Sequence, residues 1–361
     1  MNVVMAVKWD CAHSNSVLSL AVSKEKVVSS GAEDGELVLW NEGGLPLGKL
    51  HLTGGGDVTC MAFSPVCSTR LYVSHGDSLS VMDTRAFKEP VENFRVNKEE
   101  INCISVNESD TLLAAADDSG AVKVLDLQSK KVSRTLSRHT NICSSVSFRP
   151  HRPQNLLSCG LDMQVIHWSM QKARPLWIIN LQQLSHEKGD NLATQGQMLN
   201  PPLAHSLSVS ACGNIFCCGA EDGNIQIFQV AGNQFEEELC FKSHSQGVSQ
   251  VKFLDEEAYP NILLSGGNDG RVCLWDIELA RQKEPKRPLA KPHQRKSGSS
   301  HTKAKHMVSQ VTDTAREVIP KLCIEHEEKV NWIIGAELGG IRMVLVADPS
   351  NAITLYPLGE L

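Results

Sequence analysis

The chain has 361 residues, of which 41% are hydrophobic and 5% aromatic, and its formal net charge is −6. This negative balance argues against a protein built as a whole to bind nucleic acid, which would be basic. No stretch approaches the roughly 18 consecutive apolar residues of a membrane span, and the N-terminal residues lack the features of a secretory signal.

The predicted elements are short strands separated by turns, and they recur in units along the chain. A lone strand at residues 5–9 comes first. In the clearest unit, Val248–Phe253 alternates apolar and polar residues, a turn follows at residues 268–270, and Val272–Trp275 is another strand. In chain order, the seven units begin near residues 13, 56, 100, 139, 205, 244 and 326. A period of about 40–45 residues predicts four-stranded propeller blades, which bury their faces against copies of themselves.

Four side chains recur at similar positions in three of these units. A His is followed by a Ser, then by an Asp four residues after the Ser, and then by a Trp six residues after the Asp. The complete sets are His13, Ser30, Asp34 and Trp40; His139, Ser158, Asp162 and Trp168; and His244, Ser265, Asp269 and Trp275. Three copies at equivalent positions indicate a structural role, because an enzyme needs one site.

With these sets, the chain resembles the WD-repeat family along almost its whole length. The resemblance implies a single all-β, seven-bladed WD-repeat β-propeller over residues 1–361, in which each set forms a hydrogen-bonded network within its blade. In this family the first strand commonly completes the last blade, so we expect Met5–Trp9 to pair beside Ile353–Tyr356. Such propellers display loops that hold protein partners, so we expect a monomeric, non-enzymatic interaction scaffold.

The 12 cysteines and 13 histidines suggest no metal or cofactor site. The cysteines form no CxxC pair, and the histidines of the repeat occur one to a unit. We therefore expect small buried thiols in a reducing compartment, cytoplasmic or nuclear.

Blade two ends with a short motif that bears on function, Met82-Asp83-Thr84-Arg85. Some WD-repeat proteins carry Trp-Asp-x-Arg here, and that pattern resembles the docking motif of substrate receptors for cullin-4 ubiquitin ligases. Asp83 and Arg85 keep the pattern, whereas Met82 replaces the Trp. An Arg at this place could set its planar guanidinium on acceptors of the ligase adaptor. The alternative is an ordinary solvated Arg after a strand.

Two insertions interrupt the repeat, at about residues 183–200 and 281–318, and both are expected to be disordered. Within the second, residues 281–306 carry nine basic residues and one acid, including Lys286, Arg287, Lys291, Arg295, Lys296, Lys303 and Lys305. This basic loop is a solubilising segment, a nuclear-import signal or a contact for nucleic acid. The third possibility would make the protein a nuclear or ribonucleoprotein-binding module, although the loop lacks aromatic residues for base stacking.

Overall fold

The computed structural model describes residues 6–10, 12–54, 56–187, 200–254, 261–282 and 318–359. These residues form seven antiparallel sheets of four strands, which are the blades of a propeller. The predicted seven-bladed fold is therefore confirmed.

The strands of the first four blades follow one another without interruption along the chain. Blade one contains β2 (Val17–Val22), β3 (Val28–Ala32), β4 (Glu36–Trp40) and β5 (Pro46–His51). Blade two contains β6 (Cys60–Phe63), β7 (Arg70–His75), β8 (Ser78–Asp83) and β9 (Glu92–Arg95). Blade three contains β10 (Ile101–Val106), β11 (Leu112–Asp117), β12 (Ala121–Asp126) and β13 (Lys131–Ser137). Blade four contains β14 (Cys143–Arg149), β15 (Arg152–Gly160), β16 (Gln164–Ser169) and β17 (Arg174–Asn180).

The last three blades include the two insertions and the ring closure. Blade five contains β18 (Ala204–Val209), β19 (Ile215–Ala220), β20 (Asn224–Ala231) and β21 (Gln234–Lys242). Blade six contains β22 (Val248–Phe253), β23 (Ile262–Gly267), β24 (Arg271–Asp276) and β25 (Leu322–Glu325). Blade seven contains β26 (Trp332–Leu338), β27 (Ile341–Ala347), β28 (Ile353–Pro357) and the N-terminal β1 (Val7–Trp9).

Burial explains the composition of the strands. The middle strands lie between neighbouring blades, so every residue of Val28–Ala32 and of Ile262–Gly267 is buried. Outer strands such as Lys131–Ser137 face solvent and are mostly exposed. The blades approach so closely that a Cβ on Gly266 would lie 2.5 Å from the side chain of Val330 in the next blade. Each apolar cluster therefore joins two blades, as predicted for units that cannot fold alone.

The N-terminal strand closes the ring. Val7 pairs with Leu355 and Trp9 with Ile353, in antiparallel register. This confirms the expected closure for Val7–Trp9, with β1 as the outer, fourth strand of the last blade; Met5 lies outside the described residues. Closure removes the unpaired strand edges that an open array would present.

The propeller has two faces, which differ in the loops they carry. We call the first the network face: it holds the connections between blades and the turns from second to third strands, including His139 and Asp162. We call the second the Arg85 face: it holds the turns from first to second strands and from third to fourth strands.

Each insertion begins as a short helix. Helix α1 (Leu181–Glu187) follows the fourth strand of blade four and starts on the network face. Helix α2 (Ile277–Gln282) follows the third strand of blade six and starts on the Arg85 face. The expected insertions at 183–200 and 281–318 thus begin with helical residues. Their remaining parts, residues 188–199 and 283–317, lie outside the described residues, as do all seven basic residues named from the 281–306 loop.

Candidate interaction surfaces and blade networks

Blades four and six each carry a complete network of the predicted kind. In blade four, His139 Nδ1 lies 2.9 Å from Asp162 Oδ1, and His139 Nε2 lies 2.8 Å from Ser158 Oγ. Trp168 Nε1 donates to the same Ser158 Oγ at 2.8 Å. The carboxylate requires a proton on Nδ1, so the serine hydroxyl donates to Nε2 and accepts from the tryptophan. Every group is satisfied, as buried polar groups require.

The network of blade six has the same geometry. His244 lies 2.8 Å from both Asp269 Oδ1 and Ser265 Oγ, and Trp275 donates to Ser265 at 2.8 Å. Burial opposes ionisation of Asp269, but hydrogen bonds from His244 and Ser245 outweigh it and lower the pKa of the carboxyl to about 2. The ionised carboxylate holds the turn to the preceding loop, because the backbone N–H of Ser245 also donates to it at 2.8 Å.

Blade one corrects the prediction for Asp34. His13 Nε2 contacts Ser30 Oγ at 2.6 Å and Trp40 donates to that oxygen, but His13 Nδ1 faces Glu36 Oε2 at 3.3 Å. Asp34 is exposed and has a φ of 58°, and its carboxylate accepts from Asn15. This left-handed conformation in the turn directs Asp34 away from the histidine, and Glu36 at the start of β4 takes its place.

Glu36 is held more tightly than its counterparts. Ser14 donates to it from both the backbone N–H and the hydroxyl, at 2.8 and 2.6 Å, and Lys49 pairs with it at 2.9 Å. Burial opposes ionisation, but these contacts outweigh it and lower the pKa of Glu36 to about 2. The sequence pattern places the acid four residues after the Ser. It therefore missed Glu36, which lies six residues after Ser30, at the start of β4.

Variant networks occupy three other blades, and sequence spacing missed them. In blade seven, His326 lies 3.0 Å from Asp348 and 2.9 Å from the Tyr356 hydroxyl. In the sequence, Tyr356 stands at the position where the complete sets have a Trp. In the structure, its hydroxyl contacts His326 directly. Simpler pairs link Asn97 with Asp117 at 2.7 Å in blade three, and His205 with Glu221 at 2.7 Å in blade five.

The Asp83–Arg85 motif lies on the Arg85 face, where β8 ends. Asp83 caps a single 3-10 turn, Thr84–Ala86, by accepting from the backbone N–H of Arg85 at 3.0 Å. The guanidinium of Arg85 returns onto the same carboxylate, with Nε at 3.0 Å and Nη2 at 2.6 Å. The Arg85 side chain is 73% exposed. The structure thus brings the two predicted residues together, with the arginine paired to Asp83 and largely exposed to solvent.

A groove lies beside this pair, and we call it the blade-two groove. Its volume is about 250 Å³, and its lining includes Arg70, Met82, Arg85, Val91 and Leu127. Met82 is fully buried, so it forms part of the floor under the turn. The groove therefore combines an apolar floor with charged side chains at its margin.

One wall of the blade-two groove is tied to blade three. Arg70 pairs with Asp110 at 2.9 Å, and the Tyr72 hydroxyl donates to the same carboxylate at 2.9 Å. Burial is the main cause of a raised Tyr72 pKa, so the hydroxyl keeps its proton. These contacts fix the groove wall across a blade boundary.

Exposed apolar side chains collect on the same side of the molecule. Among the described residues, the large exposed hydrophobic side chains in loops and short helices all belong to turns of the Arg85 face: Leu45, Val66, Val91, Leu279 and Ile319. Ile341 is the first residue of β27, which starts at this face. Three more lie near the beginnings of outer strands, which start at this face: Val7, Leu47 and Val132. The large exposed hydrophobic side chains of the described residues are therefore concentrated at one face of the propeller.

The network face has a different character, because its loops are rich in acids. Glu99, Glu100, Asp118, Glu327 and Glu328 are all exposed there. Neighbouring residues partly shield the Glu100 carboxylate from water, and this shielding raises its pKa; the nearby charges of Asp118 and Asp57 add to the rise. The acidic loops of the network face thus contrast with the exposed apolar side chains of the Arg85 face.

Between the faces runs a central channel lined by the first strands of the blades. Its volume is about 370 Å³, and its walls include Cys60, Asn102, Cys103, Ser145 and Lys252. Across the described ranges, no group of three or more His, Cys, Asp or Glu side chains is placed to hold a metal ion. Within the same ranges, no helix combines the length and apolar character needed to cross a bilayer.

Comparison with known proteins finds WD repeats in two stretches of the chain. Residues 130–169 and 235–276 match the model of the WD domain, G-beta repeat, and these ranges contain the complete networks of blades four and six. The chain is 27% identical to the WD repeat-containing protein 53 homolog of Dictyostelium discoideum, across 96% of this chain and 92% of that protein.

More distant relatives match smaller shares. The chain is 24% identical to the Periodic tryptophan protein 2 homolog of Dictyostelium discoideum, across 74% of this chain and 29% of that protein. It is 23% identical to Nuclear distribution protein PAC1 of Komagataella phaffii, across 66% of this chain and 52% of that protein. The chain thus folds as a seven-bladed β-propeller that contains WD repeats, and along nearly its whole length it is similar to a WD repeat-containing protein.

Proposed function

We propose that this protein is a non-enzymatic interaction scaffold that binds the adaptor of a cullin-4 RING ubiquitin ligase through the Arg85 face and serves that ligase as a substrate receptor. The exposed Asp83–Arg85 pair beside the blade-two groove is the observation that carries the proposal. The fold supports a scaffold role because rigid blades display loops on two separate faces.

The geometry of Arg85 suits docking. Asp83 occupies the Nε and Nη2 edge of the guanidinium, so the remaining donors face outward from a side chain that is 73% exposed. A guanidinium already fixed in position loses little conformational entropy when a partner's carbonyl or carboxylate oxygen binds it. The exposed Val66 and Val91 nearby supply the apolar contacts that interface centres need.

The replacement of the family's Trp by Met82 does not weaken this argument. Met82 is fully buried beneath the turn, whereas Asp83 and Arg85 are the parts of the motif that reach solvent. The substitution therefore changes the floor of the groove and keeps the surface that a partner would meet.

Affinity capture from cell lysate, followed by mass spectrometry, tests the proposal. Wild type should recover the cullin-4 adaptor and Arg85→Ala should lose it. Arg95→Ala is a matched control: Arg95 is 79% exposed and pairs with Asp77 at 2.6 Å, but this pair lies on the network face. Recovery of the adaptor by none of the three proteins, or equally by all three, would contradict the proposal.

If the adaptor occupies the Arg85 face, the network face remains for a substrate. A receptor needs this separation, because adaptor and substrate must bind at the same time. Ligases of this class act on intracellular proteins, so we place the protein in the cytoplasm, the nucleus or both.

A second candidate is a nuclear or ribonucleoprotein-binding module that uses the basic 281–306 loop. The excess of positive charge in that sequence favours it. Binding of labelled RNA through so many basic residues would weaken steeply with added salt, whereas an interface with an apolar centre would change less. Titrations at two salt concentrations, with RNA and with adaptor, separate the two candidates.

A further inference from the structure

Two cysteines face each other across the outer strand pair of blade six. Cys273 in β24 pairs in register with Cys323 in β25. Their sulfur atoms lie 3.2 Å apart, with the Cys273 thiol donating to the Cys323 sulfur, and both are free thiols. Opposed residues of an antiparallel pair have Cβ atoms about 4.5–5.5 Å apart, which is close to the separation that a disulfide spans.

The two thiols differ in access to solvent. Cys323 is exposed, whereas Cys273 is only 3% exposed. An oxidant can therefore reach the sulfur of Cys323, and the buried sulfur of Cys273 lies next to it. This is the arrangement of a reactive thiol and its resolving partner. The other exposed cysteine in the described ranges, Cys212, has the Ser210 hydroxyl as its neighbour at 3.1 Å.

The surroundings also favour reaction at Cys323. The hydrogen bond from Cys273 lowers the pKa of Cys323 to about 7, and the same contact raises the pKa of Cys273. Burial and the neighbouring charge of Glu325 oppose this shift, and the positive charge of Arg271, which pairs with Glu325, supports it. The thiolate is the form that reacts with peroxides and disulfides.

We propose that Cys273 and Cys323 are a modification site, at which peroxide forms a reversible cross-strand disulfide. The Cys323 thiolate attacks one oxygen of hydrogen peroxide, which gives a sulfenic acid and hydroxide. The Cys273 sulfur then attacks the sulfenic sulfur and forms the S–S bond; its proton and the departing hydroxyl leave as water. Two thiols are oxidised and one peroxide is reduced to two waters. A dithiol reverses the reaction by exchange.

The bond would join the two strands that flank the long insertion of blade six. Strand β25 has four residues and follows the long insertion after α2, so it joins β24 across 50 positions of sequence. A disulfide there would link the strands on either side of the insertion covalently. Because cross-links that close long loops stabilise the folded state, the oxidised protein should melt at a higher temperature than the reduced one.

Peptide mapping tests this site in the full chain. The reduced protein is treated with a small excess of hydrogen peroxide, alkylated with iodoacetamide and digested with trypsin under non-reducing conditions. Peptides 272–281 and 322–329 each contain one cysteine. They should appear as one linked species that has lost two hydrogens, and dithiothreitol should separate them.

Two variants complete the test. Cys212→Ser removes an exposed thiol away from the site and should leave the linked species and the oxidative rise in melting temperature unchanged. Cys323→Ser should abolish both. The site is wrong if peroxide takes Cys323 to sulfinic acid without the link, or if the rise in melting temperature persists in Cys323→Ser.

Discussion

At the scale of single residues, one carboxylate holds each complete network together. Asp162 and Asp269 accept from a buried histidine and from the backbone of the following loop residue, whereas Asp34, at the same spacing in the sequence, does neither. Spacing alone identified all three aspartates, because it records the position of a residue and not the backbone dihedral angles of its turn. The left-handed conformation of Asp34 appeared only in the structure.

This difference gives a matched pair of variants. Asp269→Asn should lower the free energy of unfolding by about 1–3 kcal/mol, because it removes the charge from a buried hydrogen-bonded network. Asp34→Asn should change it by less than about 0.5 kcal/mol, since the side chain is exposed and Asn tolerates a left-handed conformation. Urea unfolding curves measure both. Equal losses in the two variants would show that the network is not what stabilises the blade.

The same carboxylates predict a dependence on pH. The pKa values of Asp269 and Glu36 are about 2 in the folded protein, below their ordinary values of 3.8 and 4.5. Their stabilisation is therefore complete above pH 4.5 and is lost as the pH falls towards 2. The free energy of unfolding should fall over this window, and less steeply in the Asp269→Asn, Glu36→Gln double variant. An identical slope in wild type and double variant would refute the assignment.

At the scale of elements, the N-terminal strand matters most, because three residues complete a blade at the far end of the chain. Trp9 is 5% exposed and its ring lies 5.7 Å from that of Trp40, so β1 packs against the first blade while it pairs with the last. Sequence predicted this role through the family resemblance, since residues 5–9 form a strand without a unit of its own.

Variants of β1 test the closure. Trp9→Ala should cost about 3–5 kcal/mol, as expected for removal of a buried aromatic side chain. Val7→Ala in the same strand should cost little, because Val7 is 49% exposed. Removal of residues 1–10 should lower the melting temperature at least as much as Trp9→Ala. Unchanged melting of the shortened protein would mean that the ring closes without β1.

Helix α1 is an element that pattern analysis missed. Asn180 caps it by accepting from the backbone N–H of Gln182 at 2.9 Å, and Leu181 and Leu184 pack against blades four and five. A capping Asn followed by leucines three positions apart was present in the sequence. Seven helical residues are too few to show a clear helical period in the sequence. The polar residues around them therefore favoured an irregular insertion.

At the scale of the whole molecule, the repeated four-stranded units determine the fold. The exposed side chains that differ from blade to blade suggest the function. The period of the strands predicted seven blades, because each blade needs neighbours to bury its faces. The grouping of exposed apolar side chains on the Arg85 face could not be predicted in the same way. It depends on which loops share an end of the blades, and the separate residues lie far apart in the sequence.

The central claim is that this face binds the adaptor of a cullin-4 ligase through Arg85. Isothermal titration calorimetry with the purified adaptor tests it most directly. Wild type and Arg95→Ala should bind with the same affinity, and Arg85→Ala should bind at least about tenfold more weakly, a loss of about 1.4 kcal/mol. Equal affinities for wild type and Arg85→Ala, or no binding by wild type, would contradict the claim.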